Sequence, residues 1–302
     1  MLKKRNDKDY SKEALSQTEK FSFLSPDFYT LWNYRREILT EHFTQEEYQT
    51  SEAKLKAVKL ELDLLLKGIS RSPKSYTLWF HRQWIIEFGV QHEAKDDWKS
   101  QILEGEFMLC NKFLQRDERN FHCWNYRLWV VETYIQRIKS CTEDRQVLEG
   151  FLKKECEMAE QIIKKNFSNY SAWHYRGQLM PQLYERTPGA YVLPIERIQE
   201  DLEMLKHAFF TEPNDQSPWN YHQWLISLLT PIQVVGVQKV DEKTFEIGFS
   251  QPVRNVSLMQ VQVESEGNPL QFTLESKSGR DLSPTWRLIL ETPTSSFTLQ
   301  MK

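Results

Sequence analysis

Four cysteines and seven histidines are the side chains of this protein that could hold a metal ion or attack a substrate. Cys110, Cys123, Cys141 and Cys156 form no CxxC pair, and no histidine stands at the spacing a zinc site requires. They read as free thiols, three of them among apolar or helical residues, which suits a reducing compartment and favours the cytoplasm. His42, His81, His92, His122, His174, His207 and His222 are scattered along the chain. His81, His174 and His222 recur close to a repeated tryptophan, so packing explains them and no metal site is expected. No GxGxxG, phosphate-loop or GxSxG stretch occurs. Arg35, Arg82, Arg127 and Arg176 occupy one position in successive copies of a motif and suggest anion sites. An arginine repeated in this way more simply ties neighbouring helices together, its stem packed on aromatic rings.

The elements that carry these residues are set by the repeat. Trp32, Trp79, Trp124, Trp173 and Trp219 recur at intervals of 47, 45, 49 and 46 residues. The copies read PDFYTLWNYRREIL, PKSYTLWFHRQWII, DERNFHCWNYRLWVV, NFSNYSAWHYRGQLM and PNDQSPWNYHQWLI. Three residues before each tryptophan stands Tyr29, Tyr76, Phe121, Tyr170 or, departing from the rule, Gln216. Three residues after it stands an arginine or, in the fifth copy, His222. Positions three apart are neighbours on a helix, so aromatic, tryptophan and arginine form one stripe. The tryptophans read as core. Pro26, Pro73 and Pro213, six residues before the tryptophan, fit a first helical turn, and Asp117 or Asn166 could cap a helix there. Between the motifs, apolar residues at helical spacing mark a second set of helices: Leu55, Val58, Leu62, Leu65, Leu66 and Ile69; Ile102, Leu109, Phe113 and Leu114; Leu148, Leu152, Ile162 and Ile163; Ile195, Ile198, Leu202, Leu205 and Phe209. Residues 1–230 therefore form five helical hairpins, each needing its neighbours to bury both faces.

After Thr230-Pro231 the periodicity changes to two, in IQVVGVQKV, TFEIGF, VSLMQVQV, LQFTL, TWRLIL and SFTLQM. Residues 231–302 read as a small β-sandwich of six or seven strands. The last strand signal reaches the end of the chain, so a continuation beyond it is expected. Hydrophobic content of 40% and charged content of 27% are those of a folded protein, and a net charge of −3 argues against a broad nucleic-acid-binding surface. No apolar run approaches the roughly 18 residues of a transmembrane helix, and Met1 to Tyr10 hold no signal-peptide core.

The core Pro-x-x-Tyr-x-x-Trp-x-x-Arg at this period resembles the α subunits of protein prenyltransferases, most nearly the geranylgeranyltransferase type II, or Rab, branch. The stretches DERNFHCWNYR (Asp117–Arg127) and NFSNYSAWHYR (Asn166–Arg176), with Pro213–Trp219, carry the resemblance over about residues 20–230. It implies an all-α, right-handed α-α superhelix, followed as in animal type II subunits by an immunoglobulin-like module. It also implies more helix before the first motif than the roughly 25 residues ahead of Pro26 provide, and helices and leucine-rich repeats after the β module. The implied partners are a β subunit carrying the zinc and the lipid pocket, the Rab escort protein and Rab GTPases. The implied activity belongs to the heterodimer: transfer of geranylgeranyl groups from the diphosphate to C-terminal Rab cysteines, with no cofactor on this chain. Arg119 stands where the related farnesyltransferase α subunit has a lysine that reaches the diphosphate, and an arginine there can bind phosphate oxygens through two bonds. Tyr76, Phe121, His122 and Tyr170 lie on edges that face the β subunit in this family and are the interface candidates. The alternatives are the α subunit of farnesyltransferase or geranylgeranyltransferase type I, and a helical-repeat adaptor. For the adaptor reading, the period argues against tetratricopeptide repeats, which run about 34 residues, and lies at the upper edge of the HEAT range, while the Trp–Arg core fits neither pattern.

Overall fold

The structure, a computed structural model, describes residues 2–92, 96–141, 145–187, 190–191, 193–229, 234–254, 261–265, 268–277, 282–292 and 298–301. A short helix α1 (Leu2–Asn6) precedes five hairpins: α2 (Lys12–Leu24) with α3 (Tyr29–His42), α4 (Ser51–Arg71) with α5 (Tyr76–His92), α6 (Asp96–Arg116) with α7 (Phe121–Cys141), α8 (Arg145–Lys165) with α9 (Tyr170–Leu183), and α10 (Ile195–Thr211) with α11 (Gln216–Leu229). A two-stranded ribbon, β1 (Glu185–Thr187) and β2 (Ala190–Tyr191), interrupts the connection from α9 to α10, an element the apolar pattern did not signal. The chain divides into compact units, Met1–Phe151 and Leu152–Lys302, and the division falls inside α8.

Each tryptophan closes the turn that precedes its helix. The indole Nε1 of Trp32, Trp79, Trp124, Trp173 and Trp219 donates to the carbonyl six residues earlier, that of Pro26, Pro73, Glu118, Phe167 and Pro213 respectively. The prolines thus stand in the turn and accept a bond, rather than opening the helix. The expected caps also shift by three residues. Asn120 accepts from the backbone N–H of Cys123 at the start of α7, and Asn169 from that of Ala172 in α9, while Asp117 and Asn166 close the preceding turns onto Arg119 and Ser168. Asx side chains do both jobs, and the backbone conformation decides which.

The four repeated arginines are 1–4% exposed and bind protein, not solvent. Arg35, Arg82 and Arg176 each send Nη1 to a carbonyl twenty residues earlier, on the first helix of their own hairpin: Leu15, Leu62 and Cys156. Each then grips an acid on the first helix of the next hairpin. Arg35 holds Glu61 and Arg82 holds Glu106 through paired bonds of 2.6–2.7 Å; Arg176 reaches Asp201 at 2.8 Å. Arg127 donates to Asn111. These three acids accept a further bond from the residue two places after the next tryptophan, His81 to Glu61, Tyr126 to Glu106 and Tyr221 to Asp201, and Tyr175 donates in the same way to Glu155. Every carboxylate in this seam stands eighteen residues before a tryptophan. The first hairpin has Ala14 in that slot, so the Tyr34 hydroxyl turns instead to the carbonyl of Asp9. Ala14 in the first hairpin and His222 in the fifth are the two departures from this pattern.

Within the hairpins, Val58, Leu62, Leu65, Ile69, Ile102, Leu109, Phe113, Leu114, Leu152, Ile163, Ile198 and Leu205 are buried as their spacing requires. Leu66 and Ile195 are on the exposed side, at 36% and 54%. Gly68 permits the close approach of α4 and α5, since a Cβ there would lie 3.0 Å from Leu78.

The C-terminal strands form two antiparallel sheets. One has the order β3 (Val234–Lys239), β4 (Thr244–Arg254), β8 (Leu282–Leu290), β7 (Phe272–Ser276); the other is β6 (Asn268–Pro269), β5 (Val261–Ser265), β9 (Thr298–Met301). Alternate residues Phe245, Ile247 and Phe249 of β4 and Trp286, Leu288 and Leu290 of β8 share one core with Val263 of β5. The two sheets thus close on a common interior, as a sandwich requires. The edge strand β3 departs from the alternation: Val235 and Val237 are exposed. Residues 230–233 and the run 256–260 lie outside the described residues.

Candidate functional site

The start of each second helix is where repeated scaffold gives way to individual chemistry. In the first unit three successive turns are bonded to one another. Ser75 Oγ donates to Asp27 (2.6 Å), the Thr77 hydroxyl to the Pro26 carbonyl, and Asn120 Nδ2 to the Pro73 carbonyl (3.0 Å). Lys74 crosses to Asp117 at 3.5 Å. The turns before α3, α5 and α7 therefore present one fixed edge.

Three of the interface candidates, Tyr76, Phe121 and His122, occupy this edge, with one rearrangement. Tyr76 and Phe121 open α5 and α7 and are 68% and 44% exposed. His122 is buried beneath them, in edge contact with Tyr76 (4.3 Å) and stacked on Phe121 (4.0 Å). Burial lowers its pKa, and Lys74 adds to that while Asp27 opposes it, so the imidazole is neutral at pH 7. His122 is thus a support for the two rings rather than a surface residue. In the second unit Tyr170 opens α9, is 55% exposed and stacks over His174. Arg119 is exposed in the turn before α7, its backbone N–H fixed by Asp117. Lys74 was missed by sequence reasoning; its salt bridge to Asp117 across forty-three residues of chain has no local signal.

Among the described residues no group of three or more His, Cys, Asp or Glu side chains is arranged to hold a metal ion, and no helix is long and apolar enough to cross a membrane. The thiols of Cys110 and Cys156 are buried and burial pushes their pKa up, that of Cys156 to about 12, so neither is a nucleophile at neutral pH. The chemistry the edge can perform is recognition: exposed aromatic rings beside basic side chains on a rigid support.

The repeat that builds this edge is shared with known proteins. The model of the protein prenyltransferase alpha subunit repeat matches residues 5–42, 58–88, 103–134, 152–183 and 198–229, one match per hairpin. The first begins well before Pro26, and α2 supplies its first helix. The human geranylgeranyl transferase type-2 subunit alpha is 33% identical over 310 residues, covering 100% of this chain and 49% of that protein. The Candida albicans protein of the same name is 32% identical over 242 residues, covering 74% of this chain and 63% of its own length. The chain spans about half the length of the animal relatives it matches. A solved structure, Candida albicans protein geranylgeranyltransferase-I complexed with GGPP, aligns with TM-score 0.52 and 25% identity over 76% of this chain and 64% of that one.

Proposed function

The chain belongs to the protein prenyltransferase alpha subunit repeat family, and from that premise we propose that it is the α subunit of a heterodimeric type II protein geranylgeranyltransferase. The partner is a β subunit that carries zinc and the lipid pocket. The heterodimer moves a geranylgeranyl group from its diphosphate to C-terminal cysteines of Rab GTPases brought by the Rab escort protein, in the cytoplasm. The observation that carries this reading is the 33% identity with type-2 α subunits across the whole chain, β module included.

In the transfer a cysteine thiolate bonds to the first lipid carbon as that carbon's bond to oxygen breaks and diphosphate leaves. Zinc on the β subunit supplies a stabilised thiolate. This chain holds the β subunit through Tyr76, Phe121 and Tyr170, and Arg119 meets the charge growing on the departing diphosphate. The buried seam contributes rigidity, which keeps such a contact in place. Alone, the chain has no transferase activity.

Co-expression with a type II β subunit tests the reading: a one-to-one heterodimer is expected, and its absence would sink the assignment. Within the heterodimer, Arg119→Ala is expected to slow transfer about a hundredfold, the order found for removing one donor to developing negative charge. Unchanged turnover with the heterodimer intact removes Arg119 from the mechanism.

A further inference from the structure

The α3–α5 face of the first unit carries a cation that the seam leaves unused. Arg35 of α3 is buried on Glu61, but its neighbour Arg36 forms no ion pair among the described residues. Arg36 Nε donates to Nδ1 of His81 (3.2 Å) and Nη1 to the side-chain oxygen of Asn33 (3.1 Å). Its Nη2 is shielded from solvent and has no hydrogen-bond partner. Three rings fence the guanidinium, with centroids at 4.8 Å for Phe80, 5.7 Å for Trp84 and 5.8 Å for Tyr29. Phe80 and Tyr29 are 47% and 51% exposed, so the outer wall of the fence faces solvent. Ring faces offset part of the cost of desolvating a cation, and a carboxylate offsets more. Arg35 and Arg82 show the arrangement that satisfies this group in the same protein: two parallel bonds to one carboxylate.

We propose that Arg36 anchors an acidic side chain of the β subunit, and that His81 is the residue that positions it. The proposal rests on the α-subunit reading and deepens it. Two observations select this occupant. The unpaired charge calls for an anion, and arginine among tyrosine, phenylalanine and tryptophan is the composition of an interface anchor. Phe80 also stands one turn after Tyr76 on α5, so the spot continues the aromatic edge assigned to β contact.

His81 explains why the anchor exists in the second hairpin. In the third, fourth and fifth hairpins its slot holds Tyr126, Tyr175 or Tyr221, whose hydroxyl donates to the seam carboxylate. An imidazole has a second nitrogen. Because Nδ1 accepts from Arg36, the proton of the neutral ring sits on Nε2 and is donated to Glu61 at 2.8 Å. His81 therefore does what tyrosine does in the seam and also grips Arg36 from below.

The test is the dissociation constant of the full chain for a type II β subunit, at low and high salt. Arg36→Gln is expected to weaken binding at least about tenfold and to flatten its salt dependence. Arg36→Lys, which keeps the charge and loses the planar fork, is expected to weaken it less. His81→Tyr, the residue of the other hairpins, is expected to keep the melting temperature, weaken binding several-fold, and add nothing once Arg36→Gln is present. Equal affinity of Arg36→Gln and wild type overturns the anchor and leaves the α-subunit reading standing. A His81→Tyr loss that persists in the Arg36→Gln background overturns the positioning role. Failure of the wild-type chain to bind β removes the anchor and the α-subunit reading together.

Discussion

Trp173 and Trp219 occupy the same motif position and make the same bond to the carbonyl six residues back, yet one is 1% exposed and the other 42%. Trp173 lies 4.8 Å from Tyr221 of the next hairpin, as Trp32 does from His81 and Trp79 from Tyr126, at 4.7 and 5.1 Å. Trp219 stacks on Phe209 of its own hairpin instead, at 3.8 Å. The motif therefore builds a hairpin turn locally, and burial of its tryptophan comes from the following hairpin. This is nearest-neighbour stabilisation expressed in single residues.

Substitutions in these two hairpins can break the comparison. The largest effect is expected at Asp201, which is 0% exposed and takes bonds from Arg176, Arg197 and Tyr221. Asp201→Ala removes the buried carboxylate shared by these three groups, leaves Arg176 with Glu160 at 3.2 Å as its remaining acid among the described residues, and should cost about 3–5 kcal/mol in urea unfolding. Trp173→Ala should cost about 3–5 kcal/mol by leaving a cavity, whereas Trp219→Ala should cost about 1 kcal/mol, since much of its surface is already wet. Equal losses at the two tryptophans would refute the neighbour account.

A smaller effect separates the second hairpin from the others through pH. His81 is held neutral chiefly by burial, with its pKa lowered. Below the unfolded histidine pKa, about 6.5, the unfolded chain takes up a proton that the folded chain refuses, so stability falls as pH falls. Between pH 7 and 5 this loss amounts to at most about 2 kcal/mol. His81→Tyr should remove it, as seen by comparing unfolding midpoints across that range. Glu61 acts with the same sign at lower pH: its pKa is depressed despite burial because Arg35 and His81 hold the carboxylate, so its contribution is present above the usual glutamate pKa and is lost in acid. The smallest effect is expected for His222→Arg, which restores the motif with no seam carboxylate of a following hairpin among the described residues and should shift stability by less than about 0.5 kcal/mol.

The tryptophan, aromatic and arginine positions were legible because their types repeat exclusively enough to stand out. So were the strands of the sandwich core, where alternate Phe245, Ile247 and Phe249 mark a buried face. The carboxylates were not read, although the signal was present. Glu61, Glu106, Glu155 and Asp201 keep the tryptophan intervals of 45, 49 and 46, but they vary between Glu and Asp and lie in helices rich in solvated acids. A charge on an amphipathic helix looks like a surface residue until its partner arginine is placed. The turn prolines and Asx residues were assigned to the wrong neighbouring positions because turn and cap use the same residue types within three places of each other. His122 stands among the interface candidates by its place beside Phe121, and its burial under the rings of Tyr76 and Phe121 has no signal in the sequence. Arg36 gave no signal at all, since a second arginine beside Arg35 reads as a solvated pair.

The central claim is that this chain supplies scaffold and contacts while the reaction centre belongs to a partner. Its most direct test is transfer of radiolabelled geranylgeranyl to a Rab C-terminal cysteine, with escort protein present, by the chain alone, the type II β subunit alone and the two together. Activity only in the mixture is the predicted result. Transfer by the chain alone, or a mixture no more active than the β subunit by itself, would contradict it.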